Sequence, residues 1–278
     1  MSYLAHRNDM HEQDLWLHLS GVAERARNFA DHFDAGRFVS CVALHHDLGK
    51  YSEKFQRRIR GDSVQVDHST AGAQYLYERN RSGLGLLAAY CIAGHHGGLP
   101  DGGHKSQPHL GGLYGRLEKT IEDFSGFLDD FSNEESILPP PSTVIGTGFQ
   151  AAFFTRMAFS CLVDADWLDT EHFLSGEKPR GNFSTIDSLA AKFHAGIEKF
   201  LNPTRPLDIL RTEILQNCLT AADVSHNLFT LTAPTGSGKT ISSMAFALEH
   251  ARMHNKRRLI YVVPYNTIIE QNAAVFVH

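Results

Sequence analysis

The motif at residues 45–50 reads His45-His46-Asp47-Leu48-Gly49-Lys50. It closes a predicted helix over about 38–47, in which His46 lies four residues after Val42. This spacing places His46 on the buried face of the helix. Gly49 is suited to a left-handed cap that ends the helix. An imidazole and a carboxylate at a helix end are candidate ligands for a divalent metal.

Working outward from this stretch, further histidines and aspartates lie within or at the ends of other predicted helices. The further candidates are His18, His68, the pair His95-His96, and Asp164 or Asp166. A helical bundle could bring them to one internal point, where imidazoles and carboxylates bind divalent metals. Two such ions can hold a phosphodiester and lower the pKa of a water between them. Taken alone, each residue also fits a purely structural role, such as a core histidine or a surface carboxylate. The prediction therefore depends on the joint pattern.

Composition limits the class of protein. With 278 residues, 42% hydrophobic and 21% charged, the sequence is typical of a globular chain with one large domain or two smaller ones. The first thirty residues contain no sustained apolar run, so neither a signal peptide nor a membrane span is expected. The four cysteines are widely spaced, which favours reduced thiols in the cytoplasm. A net charge of −5 argues against binding nucleic acid through bulk electrostatics, so a polyanion would need clustered cations or metal ions.

The pattern of the chain changes near residue 200. We predict a helical domain over 1–200 and a second segment over 201–278. The second segment shows a helix near 207–221, a strand over 228–232, a glycine-rich turn, a helix over 241–253 and a strand over 258–263. That order is typical of the start of a parallel α/β sheet. The predicted fold class is therefore mainly α, a helical bundle followed by the incomplete start of an α/β lobe.

The glycine-rich turn predicts a P-loop. It reads Ala233-Pro234-Thr235-Gly236-Ser237-Gly238-Lys239-Thr240, with alanine where the general pattern has its first glycine. Between a strand and a helix, backbone N–H groups of such a turn wrap phosphates, Lys239 reaches the terminal phosphates and Thr240 binds Mg. The predicted nucleotide-binding residues are Thr235, Gly236, Ser237, Gly238, Lys239 and Thr240.

The motifs resemble those of a known family. The order His18, His46-Asp47, His68 and His95-His96 is similar to that of the HD phosphohydrolase superfamily. With His68-Ser69 and Asp164-Ala165-Asp166-Trp167, residues from about 15 to 175 resemble the HD nuclease domain of the CRISPR-associated helicase-nuclease of type I systems. The P-loop and the run that begins Val263-Pro264-Tyr265 resemble superfamily-2 helicases, whose lobes are RecA-like.

The resemblance implies a role for each metal candidate. His18, His46, Asp47 and Asp166 would hold one ion, and Asp47 would bridge to a second ion held by His68, His95 and His96. The resemblance favours Asp166, because the family's last ligand falls in an Ala-Asp pair before an aromatic or basic residue, and Asp164 stays open as the alternative. Residues two apart on a helix point roughly 200° apart, so only one of the two can face the site. Asp47 and Lys50 would be the catalytic residues, with Lys50 on the scissile phosphate. Imidazole-rich ligation favours Mn, Fe, Co or Ni over Mg.

The function implied is a metal-dependent endonuclease or exonuclease that degrades single-stranded DNA in CRISPR antiviral defence. Its partner would be the guide-RNA surveillance complex (Cascade type), with no membrane partner, and a complete helicase would use ATP and Mg. Two alternatives stay open: an HD phosphohydrolase or phosphodiesterase for small nucleotides, and a docking module without catalysis. The basic cluster Lys54, Arg57, Arg58 and Arg60 is either a strand-binding face or a solvated one. Because neither an acidic Mg-binding box nor a second lobe follows the P-loop before His278, we expect negligible ATPase activity and no unwinding from this chain.

Overall fold

The computed structural model describes residues 3–277 except 107, 110, 133, 143, 144, 177, 182, 226 and 227. The chain divides into two compact units, Met1–Pro179 and Arg180–His278. The boundary predicted near residue 200 falls within the second unit. The assignment of one function to residues 1–200 and another to residues 201–278 stays a prediction. The predicted fold class, mainly α with a helical bundle first, is confirmed. Among the described residues, every helix is too short or too polar to cross a lipid bilayer.

The first unit is a helical bundle. The helices are α1 (Leu15–Ala30), α2 (Gly36–Leu44), α3 (Glu53–Ile59), α4 (Ser69–Arg79), α5 (Gly83–Gly94), α6 (Leu113–Leu117) and α7 (Gly148–Ser175). Helix α1 packs against α2 and α7, while α5 packs against α4 and α7. The apolar residues of α1 recur at three- and four-residue steps, and its Leu15, Leu19 and Val22 are fully buried.

A two-stranded antiparallel hairpin precedes α1, formed by β1 (Leu4–Arg7) and β2 (Glu12–Asp14). Such a hairpin is marginal alone and needs other contacts. Gln56 of α3 supplies them, because its side-chain amide accepts from Leu4 N (3.0 Å) and donates to Leu4 O (3.0 Å). Asp14 then caps α1 by accepting from Leu17 N at 3.1 Å. The hairpin is thereby fixed beside the first turns of α1.

Gly49 does not form the left-handed cap that the sequence predicts. Helix α2 ends at Leu44, and Leu48–Tyr51 form a 3-10 turn in which Gly49 has no positive φ. A Cβ at Gly49 would lie 2.4 Å from the carbonyl oxygen of His68. The predicted cap is therefore wrong, and glycine is required because this turn approaches the backbone that leads into α4. That approach brings Asp47 toward His68.

The second unit contains α8 (Ile186–Ile197), α9 (Pro206–Ala221), α10 (Lys239–Met253) and α11 (Asn266–Val277). Helix α10 packs against α8 and α9. The segments predicted as strands, 228–232 and 258–263, have no strand assignment where the structure describes them. A strand is defined by a hydrogen-bonded neighbour, and neither segment has one among the described residues. The prediction of strands at these positions is therefore wrong, whereas the glycine-rich turn before α10 is found.

Candidate metal centre

Seven side chains predicted from the sequence come together inside the first unit. His18, His46 and Asp166 form one group, and Asp47, His68, His95 and His96 form a second. Within each group the candidate ligand atoms all lie within 4.8 Å of one another. The elements that carry them are α1, the end of α2, the 3-10 turn, the start of α4, the end of α5 and α7.

The two oxygens of Asp47 divide between the two groups. Oδ2 lies 3.6 Å from His18 Nε2 and 3.2 Å from His46 Nε2. Oδ1 lies 3.5 Å from His68 Nε2 and 3.4 Å from His95 Nε2. A single carboxylate therefore faces two sets of imidazoles, as a bridging ligand would.

Three buried imidazoles of the centre are oriented by hydrogen bonds at Nδ1. Because the acceptors are oxygens without protons, each Nδ1 carries the hydrogen and each Nε2 is turned toward the centre. This arrangement is typical of metal-binding histidines. The acceptors are Asp169 Oδ2 for His18 (2.8 Å), Ala43 O for His46 (2.6 Å) and Ile92 O for His95 (2.7 Å).

The atoms that face the centre fit divalent ions. Nε2 of His18, His46 and His95 and Oδ1 of Asp47 are buried and form no hydrogen bond with any described residue, while Asp47 Oδ2 forms an ion pair with Lys50. Buried polar atoms are rarely left without partners. Ligand atoms about 2.1 Å from one tetrahedral ion lie roughly 3.4 Å apart. The observed separations of 3.2–3.6 Å between nitrogen and oxygen are close to that value.

Two carboxylates lie beside His46. Burial lowers the pKa of His46, but the carboxylates of Asp47 and Asp166 outweigh burial and raise it to about 10. Burial raises the pKa of Asp47, yet Lys50 and His46 hold it well below its ordinary value, so the carboxylate is ionised. An ionised carboxylate at this position favours a cation beside it.

The second group is more open than the first. His96 is exposed, and its Nε2 lies 2.6 Å from His68 Nε2. Burial lowers the pKa of His68 to about 4, against the opposing effect of Asp47. His68 is therefore neutral at pH 7, the form in which an imidazole can bind a metal.

Lys50 is buried beside the centre, with 4% of its surface exposed. Its Nζ lies 2.7 Å from Asp47 Oδ2 as an ion pair and donates a hydrogen bond to Ala5 O at 3.3 Å. Lys50 is therefore not a solvated surface lysine. Its predicted contact with a scissile phosphate stays a prediction.

Comparison with known proteins adds the family. Residues 10–169, more than half of the chain, match the family model described as "Cas3, HD domain". The chain belongs to the Cas3 HD-domain family. The family predicted from the sequence is thereby confirmed.

Two other comparisons concern the second unit and the fold. Residues 207–277 match a model described as "Type III restriction enzyme, res subunit". A crystal structure of T. fusca Cas3-ADP is 18% identical, with a TM-score of 0.51, and the match covers 99% of this chain and 37% of that chain. At this identity the likeness shows the fold alone, and this chain spans about 37% of the length of that Cas3 chain. No curated protein matches the chain.

Within this Cas3 HD domain, α7 turns Asp166 and not Asp164 toward the centre. Asp166 Oδ1 lies 3.5 Å from His18 Nε2, whereas Asp164 is exposed. Sequence reasoning missed Asp169, which is buried one helical turn beyond Asp166. Its spacing of three residues from Asp166 was the available signal, because residues three apart share a helix face.

In the helicase-type segment, the predicted P-loop residues form the turn that leads into α10. Gly236 and Gly238 have φ of +81° and +85°, which favour glycine. Lys239 Nζ donates to Ala233 O (2.6 Å) and Pro234 O (2.9 Å) of its own loop. Arg211 of α9 donates from Nε and Nη2 to Gly236 O, at 3.0 Å and 2.8 Å. Thr235, Gly236, Ser237 and Gly238 form the turn, and Lys239 and Thr240 are the first two residues of α10.

The basic cluster on and just after α3 is partly neutralised. Lys54 Nζ lies 2.7 Å from Glu122, and Arg57 Nε lies 2.7 Å from Asp62. Arg60 donates to the backbone and side chain of Gln56, while Arg58 is exposed. These pairs reduce the charge available to a DNA backbone, and the strand-binding role stays a prediction.

Proposed function

We propose that the first unit is a metal-dependent nuclease that hydrolyses phosphodiester bonds of single-stranded DNA in CRISPR defence. The observation that carries the proposal is the division of Asp47 Oδ1 and Oδ2 between two imidazole groups. Membership of the Cas3 HD-domain family supports the substrate class and the CRISPR setting. A cytoplasmic location and recruitment by a guide-RNA surveillance complex of the Cascade type belong to the same proposal.

In this proposal the chain holds two divalent ions. His18, His46 and Asp166 would hold one, His68, His95 and His96 the other, and Asp47 would bridge them. Bound ions would neutralise phosphate charge and lower the pKa of water at the site. Five imidazoles and two carboxylates favour Mn, Fe, Co or Ni over Mg, which prefers oxygen ligands. The buried side chains fix these donors before substrate arrives, and His96 at the open edge marks where a phosphate could enter.

The test compares substrates with the purified 278-residue protein and Mn²⁺. We expect cleavage of circular and linear single-stranded DNA, and little cleavage of duplex DNA. Cutting of the circle would show endonuclease activity, and cutting of the linear strand alone would show exonuclease activity. Hydrolysis of small nucleotides without cleavage of DNA would contradict the proposal and favour the alternative of a nucleotide phosphohydrolase. Tight metal binding without any hydrolysis would favour a docking module.

Replacing Lys50 by methionine is expected to change cleavage and metal affinity in opposite directions. If Lys50 stabilises the scissile phosphate, its loss should slow cleavage by roughly 100-fold, as loss of one preorganised donor does in other enzymes. Because Lys50 Nζ is 2.7 Å from Asp47 Oδ2, its loss should also strengthen Mn²⁺ binding severalfold by removing a competing cation. Calorimetry and a cleavage assay measure the two effects. Lys178→Met, which breaks an exposed pair with Glu171, is the control, and a wild-type cleavage rate in Lys50→Met would remove Lys50 from catalysis.

We also propose that the P-loop of the second unit binds a nucleotide phosphate. For loop amides to face an anion, loop carbonyls must point outward and need donors of their own. Arg211 supplies two donors to Gly236 O. The Nη1 of Arg211 donates to Asp208 Oδ1 at 3.1 Å. Together these contacts fix the loop from the side of α9.

Arg211→Ala is expected to weaken binding of ADP about tenfold, because one or more charge-assisted hydrogen bonds to the loop are lost. Titration of a fluorescent ADP analogue measures the change. Arg252→Ala is the matched control, since Arg252 pairs with Glu249 in the same unit without touching the loop. Equal affinities of wild type and Arg211→Ala would show that Arg211 does not shape the loop.

A further inference from the structure

Asp169 is the buried carboxylate behind His18. Its Oδ2 accepts from His18 Nδ1 at 2.8 Å and from Gln13 Nε2 at 2.7 Å. Its Oδ1 lies 3.9 Å from Arg25 Nε. A Cβ at Gly21 would lie 3.0 Å from the same Oδ1, so the residue is also held by a close approach to α1. Asp169 belongs to neither of the two groups of candidate ligands.

His18 differs in what orients it from the other two imidazoles of the centre that donate from Nδ1. His46 and His95 donate to backbone carbonyls, which come with the helix ends themselves. His18 lies in the first turn of α1, where the backbone carbonyls are already used by the helix. Its orientation therefore depends on a side chain, and a carboxylate acceptor also makes Nε2 a stronger ligand.

The hairpin completes this support. Gln13 of β2 donates to Asp169 and holds His6 Nδ1 of β1 at 2.7 Å through its Oε1. The His6 ring lies edge-on to the His18 ring, with centroids 4.8 Å apart. A chain of contacts therefore runs from His18 Nδ1 through Asp169 and Gln13 to His6 of the hairpin.

We infer that Asp169 is a positioning residue for the ion of the first group, held by His18, His46 and Asp166, and that Gln13 couples the hairpin to it. This inference rests on the proposed two-ion function. Asp169 acts on one ion only, because the described contacts link it to His18 and to none of His68, His95 and His96. A loss confined to one of two ions is a result that general destabilisation would not give.

The experiment measures Mn²⁺ binding by calorimetry and the spin-coupled signal of paired Mn²⁺ ions by electron paramagnetic resonance. The variants are Asp169→Asn, Asp169→Ala and Gln13→Ala. Asp169→Asn and Asp169→Ala should weaken the binding of one ion 10- to 100-fold and leave the binding of the other unchanged. The paired signal should then be replaced by that of a single ion. Gln13→Ala should weaken the binding of the same ion by a smaller factor. Asp164→Asn, an exposed carboxylate on the same helix, is the control and should bind both ions like wild type.

Each outcome decides the inference. Unchanged binding of both ions in Asp169→Asn, or equal weakening of both, overturns it. Should Asp169→Ala fail to fold in chelator, as judged by circular dichroism, the Asn and Gln13 variants decide by the same criterion. Wild-type protein that binds no Mn²⁺ would overturn the proposed function, and the inference with it. Two ions bound in every variant with the affinities of wild type would overturn the inference alone.

Discussion

Asp47→Ala is expected to abolish phosphodiester cleavage and to reduce bound Mn²⁺ from two ions toward one or none. Asp47 Oδ2 faces His18 and His46, and Oδ1 faces His68 and His95, so truncation removes a ligand from both groups at once. The loss of rate should exceed the ~100-fold that removal of a merely supporting residue costs. Cleavage of circular single-stranded DNA and elemental analysis of the same sample measure the two effects.

This variant needs a control for folding, because Asp47 also neutralises Lys50. With Lys50 only 4% exposed, removing its partner leaves a buried unpaired charge, which costs about 3–5 kcal/mol. Asp47→Asn keeps the volume of the side chain and offers one neutral oxygen. Both variants should retain the helical circular dichroism of wild type, and Asp164→Asn should keep wild-type cleavage. Undiminished cleavage in a folded Asp47 variant would exclude Asp47 from the mechanism.

The helices of the first unit were predictable because burial imposes a period on the sequence. Leu15, Leu19 and Val22 define the buried face of α1 by their three- and four-residue spacing. His18, one residue before Leu19, is buried with them. The ends of helices were less predictable. The sequence pattern carried α2 to about residue 47, whereas the structure ends it at Leu44 and continues in a 3-10 turn. Tertiary contact decides such ends, here the approach of Gly49 to the backbone of His68.

For the site, the order of histidines and aspartates along the sequence indicated which side chains meet. That order did not indicate how the side chains are oriented. The seven metal candidates come together as predicted in two groups, while their role as ligands stays a proposal. The orientation depends on Nδ1 hydrogen bonds to Ala43 O, Ile92 O and Asp169, which involve backbone atoms or a residue distant in sequence. The hairpin was missed because three- and four-residue strands give too little alternation to detect, and Gln56 stabilises them from another element.

In the second unit, local signals predicted local structure well. The glycines of the P-loop mark the turn because Gly236 and Gly238 adopt positive φ. Strands depend on partners instead, and the apolar runs at 228–232 and 258–263 have no ladder among the described residues. Apolar sequence alone therefore identifies a segment able to form a strand, whereas pairing decides whether it does so.

Removal of metal is expected to abolish cleavage and to lower the unfolding temperature of the first unit. Without ions, the buried carboxylate of Asp47 and the half-buried carboxylate of Asp166 both lie within 3.6 Å of His18 Nε2. Nε2 of His18, His46 and His95 then has no hydrogen-bond partner among the described residues. An ion at 100 times its Kd stabilises the folded state by about 2.7 kcal/mol. For a domain of roughly 150–250 residues, each kcal/mol corresponds to about 2–4 °C. Each ion should therefore raise the unfolding temperature by roughly 5–10 °C.

Scanning calorimetry in chelator, in Mn²⁺ and in Mg²⁺ measures this effect. Mn²⁺ should restore cleavage and give the full shift, while Mg²⁺ should give a smaller one, because five of the seven candidate ligands are imidazoles. In Asp47→Asn the Mn²⁺ shift should shrink, since both groups lose a charged ligand. The comparison also separates binding at this centre from adventitious binding to exposed histidines, which Asp47→Asn leaves in place. An unfolding temperature that is equal in chelator and in Mn²⁺ would mean that the buried nitrogens and oxygens around Asp47 are not a metal site.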